Sequence, residues 1–241
     1  MERILARLDE HLNKNDYAAA ERHLLFWLGE KRGTPVALTL YNELLGIYRK
    51  TGQKEKAFET LDAALITLKA LSLENTVSGA TTHLNAATVL HAFGEAEKSI
   101  KFFEMSREVY EKELSPDDVR LAGLYNNMAA ALVTVGRIAE AYTLYEKALA
   151  LVSAREDGAL ECAVTYLNLA SLKEAELGLL DAEEEIASLL DQAALLLDSH
   201  PKRDGYYAFV CEKCAPVFGY YGRFRYEKDL KERAKSIYEG A

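Results

Sequence analysis

The chain of 241 residues is 49% apolar and 28% charged, an ordinary balance for a folded, water-soluble protein rather than a disordered or membrane-embedded one. Its 14 glycines and 4 prolines are too few for the many turns of an all-β sandwich or barrel. A formal net charge of −9, from 29 basic and 38 acidic side chains, argues against nucleic acid or an anionic membrane as the main partner, because both require a basic field.

The first ten residues carry acidic side chains and no long apolar stretch, so no signal peptide is expected. No window approaches the ~18 uninterrupted apolar residues of a membrane span. The last four, from Tyr238 to Ala241, match no lipidation or retention signal. Three cysteines make no disulfide framework, and reduced thiols in a cytoplasmic protein are the expectation.

Taken in chain order, the strongest pattern is a repeat. Gly52, Gly94, Gly136 and Gly178 follow one another at intervals of 42 residues. Gly222 extends the series, and Asn15, which also tolerates a left-handed backbone, precedes it. Each mark is flanked by apolar residues three and four apart. Around Gly52 these are Tyr41, Leu44, Leu45 and Tyr48, then Ala57, Leu61 and Ala64. Around Gly94 they are Leu84, Ala87 and Leu90, then Ile100, Phe103 and Tyr110. Around Gly136 the stretch from Tyr125 to Leu132 is followed by Ala141, Leu144, Tyr145, Ala148 and Leu149.

Helix-start chemistry separates the units. Thr34-Pro35 and Ser115-Pro116 place a hydroxyl before a proline suited to a first helical position, with Asp117 and Asp118 complementing the helix dipole. His200-Pro201 interrupts the chain before the last unit. The periodicity predicts an all-α architecture of six antiparallel hairpins at 2–30, 35–70, 76–112, 116–153, 157–198 and 204–239, within a single domain over 1–241. Pro216 falls inside the first helix of the last hairpin, where it is expected to kink or break it.

The spacing of small and bulky residues resembles the tetratricopeptide repeat (TPR). The residues that carry the resemblance are Leu90, Gly94 and Phe103, then Tyr125, Ala129, Leu132, Gly136, Ala141, Tyr145 and Ala148. A unit of 42 residues rather than roughly 34 is similar to the longer-helix repeats of kinesin light chains. Ser99 and Ser106 stand where that pattern has alanine. The resemblance implies a right-handed superhelical α-solenoid whose first helices line a concave groove that binds a peptide or protein segment.

By the same resemblance the groove-facing residues are Asn42, Asn85, Asn126, Asn127 and Asn168, with Asn85, Asn127 and Asn168 at one place in successive repeats. An amide side chain can both donate to and accept from an extended backbone. One turn further on, Gly46, Thr88, Ala130 and Ser171 are small and leave room for a chain to approach. The bland alternative is that these asparagines link neighbouring helices. Capture of a terminal carboxylate is disfavoured, because the basic groups Arg49, Lys50, His91 and Lys213 lie towards turns or ends.

No catalytic constellation emerges, and neither a metal site nor a cofactor is expected. Cys211-Glu212-Lys213-Cys214 has a CxxC spacing but no second ligand pair, and both thiols fall on core positions. His83 replaces an early aromatic, so a packed ring is expected. Asp181, Glu183, Glu184 and Glu185 read as a solvated helix start. The last hairpin is rich in aromatics, including Tyr206, Tyr207, Phe209, Phe218, Tyr220, Phe224 and Tyr226, which read as a cap over the preceding repeat. The rival reading makes them a homodimer surface, and the protein a self-assembling adaptor.

Overall fold

The computed structural model describes residues 1–240. Among them the chain forms twelve α-helices and no strand. In chain order these are α1 (Glu2–Leu12), α2 (Tyr17–Glu30), α3 (Pro35–Lys50), α4 (Lys54–Ala70), α5 (Val77–Ala92), α6 (Ala96–Glu113), α7 (Val119–Thr134), α8 (Ile138–Ser153), α9 (Ala159–Leu177), α10 (Glu183–Ser199), α11 (Gly205–Tyr220) and α12 (Phe224–Gly240). The pairs reproduce the expected hairpins within three residues at each helix boundary.

The punctuating residues behave as their spacing demands. Gly52, Gly94, Gly136 and Gly222 have φ between 69° and 88°, and Asn15 has φ 55°, a left-handed backbone that glycine adopts at little cost and asparagine tolerates. After Gly52 the Gln53 N–H donates to the Tyr48 carbonyl at 2.9 Å, and Glu95 and Arg137 repeat this bond to Leu90 and Leu132. This reach across the last turn satisfies a carbonyl that would otherwise end the helix unpaired. Gly178 departs from the pattern: its φ of 84° comes with ψ of 158°, and the chain continues through a longer loop before α10.

Boundary chemistry is partly redistributed. Asp16, Thr76 and Asp204 cap α2, α5 and α11 by accepting backbone N–H groups. Thr34 instead donates its hydroxyl to the Lys31 carbonyl at 2.7 Å. Ser115-Pro116 does not start a helix: α7 begins at Val119, and Asp118 accepts from the Arg120 N–H at 2.9 Å. The Arg120 guanidinium beside Asp118 lowers its carboxyl to about 2. Pro216 does not break α11, which runs unbroken to Tyr220, although the proline removes one backbone donor.

The chain divides into two compact units, Met1–Leu124 and the part from Tyr125 onward. In the first, α3 packs on α2, α4 and α5, and α5 on α6. Its core includes Leu8, Leu24, Leu40, Leu44, Leu45 and Tyr48. In the second, α9 packs on α8, α10 and α11, and α11 on α12, around Leu167, Ile186, Leu190, Tyr207 and Phe218. Within each unit, contacts therefore run between helices that are near one another in the chain. Ser99 and Ser106 are fully buried in α6. The Ser99 hydroxyl donates to Ala96 O at 2.6 Å, while the Ser106 hydroxyl has no partner.

Candidate functional site

The exposed faces of the hairpins differ by helix. On the second helices α4 and α6 they are mostly charged, with Lys54, Glu55, Lys56, Glu59 and Asp62 on α4, and Glu97, Lys98, Lys101, Glu104 and Glu108 on α6. Phe26 on α2, Ile66 on α4 and Leu195 on α10 are exposed too. On first helices other than α1, which exposes Glu2, Arg3, Arg7, Asp9 and Glu10, the half-buried or exposed positions are mostly small or uncharged. In the first unit they include Asn42 and Gly46 on α3, with Asn85 and Thr88 on α5. In the second unit they include Asn126, Asn127 and Ala130 on α7, Asn168 and Ser171 on α9, and Tyr206, Phe209, Pro216 and Tyr220 on α11.

The asparagines do not share one role. Asn126 Nδ2 donates to Thr165 Oγ1 at 3.0 Å, and its Oδ1 accepts from Asn168 Nδ2 at 3.2 Å. Asn42 Nδ2 lies 3.3 Å from Thr82 Oγ1, and its Oδ1 is buried without a partner. These three amides link first helices of adjacent hairpins, the bland alternative for the group. Asn85 is half-buried and its amide makes no hydrogen bond among the described residues. Thr88 and Ser171 donate within their own helices, to Asn85 O at 2.9 Å and Leu167 O at 3.4 Å.

The register expected for the ladder is corrected by one residue. Asn168 is level with Asn126, 42 positions earlier, and not with Asn127. Each residue turns a helix by about 100°, so the offset separates Asn126 and Asn168 from Asn85 and Asn127. The threonine partners Thr82 and Thr165 lie 40 and 39 positions downstream, close to the repeat length, and that spacing was the available signal for them.

Between α9 and α11 two carboxylates anchor the tyrosines. The Tyr206 hydroxyl donates to Glu161 Oε1 at 2.7 Å, and Tyr220 and Tyr221 donate to Glu174 at 2.6 and 2.8 Å. Burial and the Glu161 hydrogen bond both hold the Tyr206 phenol above its ordinary range. Tyr206 and Phe209 stack with ring centroids 6.3 Å apart while keeping 50% and 39% of their surfaces exposed. Aromatics thus extend the first-helix face along α11, whereas Tyr207 and Phe218 are buried.

Other candidates resolve into packing. Cys211 and Cys214 are free and buried, and burial pushes the Cys214 thiol up to about 12. Roughly one such thiol in ten thousand is ionised at pH 8. Iodoacetamide at that pH is expected to leave Cys214 unmodified in the folded protein and to label it in urea. Mass-spectrometric detection of rapid native labelling would contradict the buried placement. His83 is buried against Phe102, with rings 6.0 Å apart, and burial lowers its pKa. The rings of His11 and His23 come within 6.0 Å, yet no three His, Cys, Asp or Glu side chains among the described residues are placed to hold a metal ion. No described helix is long and apolar enough to cross a membrane.

No family model matches the sequence, and no curated protein matches it. Solved structures do. The chain is similar to BtubC (BKLC) from P. vanneervenii, with a TM-score of 0.67 at 22% identity over 83% of this chain and 82% of that one. It is also similar to a Podosopora anserina kinesin-light-chain protein of nearly identical TPR-like repeats, with a TM-score of 0.58 at 18% identity over 84% and 95% of the two chains. The fold is that of TPR-like repeat proteins, an all-α solenoid of helical hairpins.

Proposed function

We propose that the chain is a non-catalytic interaction module that binds a peptide or protein segment along the exposed face of its first helices. The observation that carries this reading is the contrast between helices. Solvent-facing charge on the second helices α4 and α6 serves solubility, while the first helices from α3 onward leave mostly small, amide and aromatic residues at the surface. Aromatic side chains supply contact area at low entropic cost, and the Asn85 amide offers both donor and acceptor to a backbone. Free thiols fit work in a reducing, cytoplasmic setting.

A displayed library of random peptides, selected against the purified protein, tests the reading. Selected peptides are expected to lose about tenfold or more in affinity when Asn85→Ala is combined with Thr88→Ala, or when Phe209→Ala is combined with Tyr206→Ala, depending on the unit engaged. Lys101→Ala with Glu104→Ala on α6 is expected to leave binding unchanged. A library yielding no binder, together with light scattering that shows concentration-dependent dimers abolished by Phe209→Ala, would replace this reading by the homodimer one.

A further inference from the structure

A concave site of about 500 Å³ opens in the second unit between α8, α9 and α10, lined mainly by the second helices α8 and α10 and on α9 by Leu169 and Lys173 rather than by Asn168 and Ser171. Its apolar lining comes from Leu149, Leu169 and Leu189, and Tyr142 and Glu146 from α8 meet Glu184 and Glu185 from α10 around it. Tyr142 is 41% exposed.

The site already holds one cation. Lys173 reaches from α9 so that its ammonium lies 5.8 Å from the centre of the Tyr142 ring and 3.1 Å from Glu185, with Glu176 at 3.2 Å. An ammonium between an aromatic face and a carboxylate is the arrangement such a site would offer to an incoming cation. Glu146 and Glu184 have no ion-pair or hydrogen-bond partner among the described residues. Three carboxylates against one ammonium leave the lining negative, with two acids unpaired.

We infer that this cavity is a second docking site, and that its occupant is a protein segment carrying an arginine flanked by bulky apolar residues. The flanking side chains cover Leu149, Leu169 and Leu189. The guanidinium, planar and weakly hydrated, stacks on the aromatic wall and pairs with Glu146 and Glu184. A small polyamine would meet the carboxylates but leave the apolar floor open to water. Two glutamates in the first turn of α10 also complement its dipole, but that role accounts neither for Glu146 on a different helix nor for the exposed tyrosine opposite.

The probe is the acetylated, amidated peptide Ala-Leu-Arg-Leu-Ala, titrated into protein with ¹³C-labelled leucine methyl groups. Shifts are expected at Leu149, Leu169 and Leu189. Glu146→Gln combined with Glu184→Gln, which keeps the side-chain shapes, is expected to weaken binding about tenfold, and Tyr142→Ala to weaken it further. A thermal melt of each variant matching the parent shows that the fold is kept. The same peptide with glutamine for arginine is expected not to bind. Undiminished affinity of the double variant, equal binding of the glutamine peptide, or equal saturation by spermidine would each overturn the proposal.

Discussion

Tyr207→Ala is expected to destabilise the second unit by about 4 kcal/mol, in the range of buried aromatic truncations. Its ring is fully buried, stacks on His200 with centroids 5.8 Å apart, and lies under the Arg203 guanidinium at 5.1 Å. The hydroxyl donates to Leu197 O at 3.2 Å and accepts from Arg233 Nη1 at 3.0 Å. Arg233 in turn bonds Asp198 at 2.7 Å, and Asp198 also accepts from Tyr226 at 2.9 Å. One side chain therefore joins α10, α11 and α12. Tyr207→Phe keeps the ring and is expected to cost only about 1–2 kcal/mol, because Arg233 retains Asp198. Urea unfolding followed by circular dichroism measures both. A loss below about 1 kcal/mol for Tyr207→Ala would mean that the last hairpin is held by other contacts.

What could be read from the sequence followed its punctuation. The spaced glycines required left-handed turns, and the flanking periodicity marked Leu44, Tyr48, Ala57, Phe103 and Tyr145 as inward residues, all of which are buried. The aromatics of the last hairpin were countable but could not be sorted, because Tyr206 and Tyr207 are neighbours that a helix turns to different sides: one is half exposed and the other fully buried. The Tyr206–Glu161 and Tyr220–Glu174 pairs depend on α9 and α11 lying side by side, which no local pattern encodes. The cavity lined by Tyr142 and Lys173 escaped for the same reason. Its residues come from three helices, and the acidic run at Glu183–Glu185 has an adequate local explanation as a helix start.

The asparagines show how far a repeat pattern reaches. Recurrence in register is what a binding ladder would produce, and it is equally what a structural link between repeats produces. Stability and binding separate the two. Asn126→Ala removes the bonds to Thr165 and Asn168 at a half-buried position, and is expected to cost about 2 kcal/mol in urea unfolding. Asn85→Ala removes no hydrogen bond and is expected to stay within about 0.5 kcal/mol. If both variants cost the same, the division between linking and surface amides is wrong. Adding Asn168→Ala to Asn126→Ala is expected to cost less than the sum of the separate losses, because the two amides share one bond. Asn126 keeps one N–H and one lone pair beyond its links, so a segment touching it would contact a side chain already fixed in place. Asn85 has no such restraint, and binding there would have to order it.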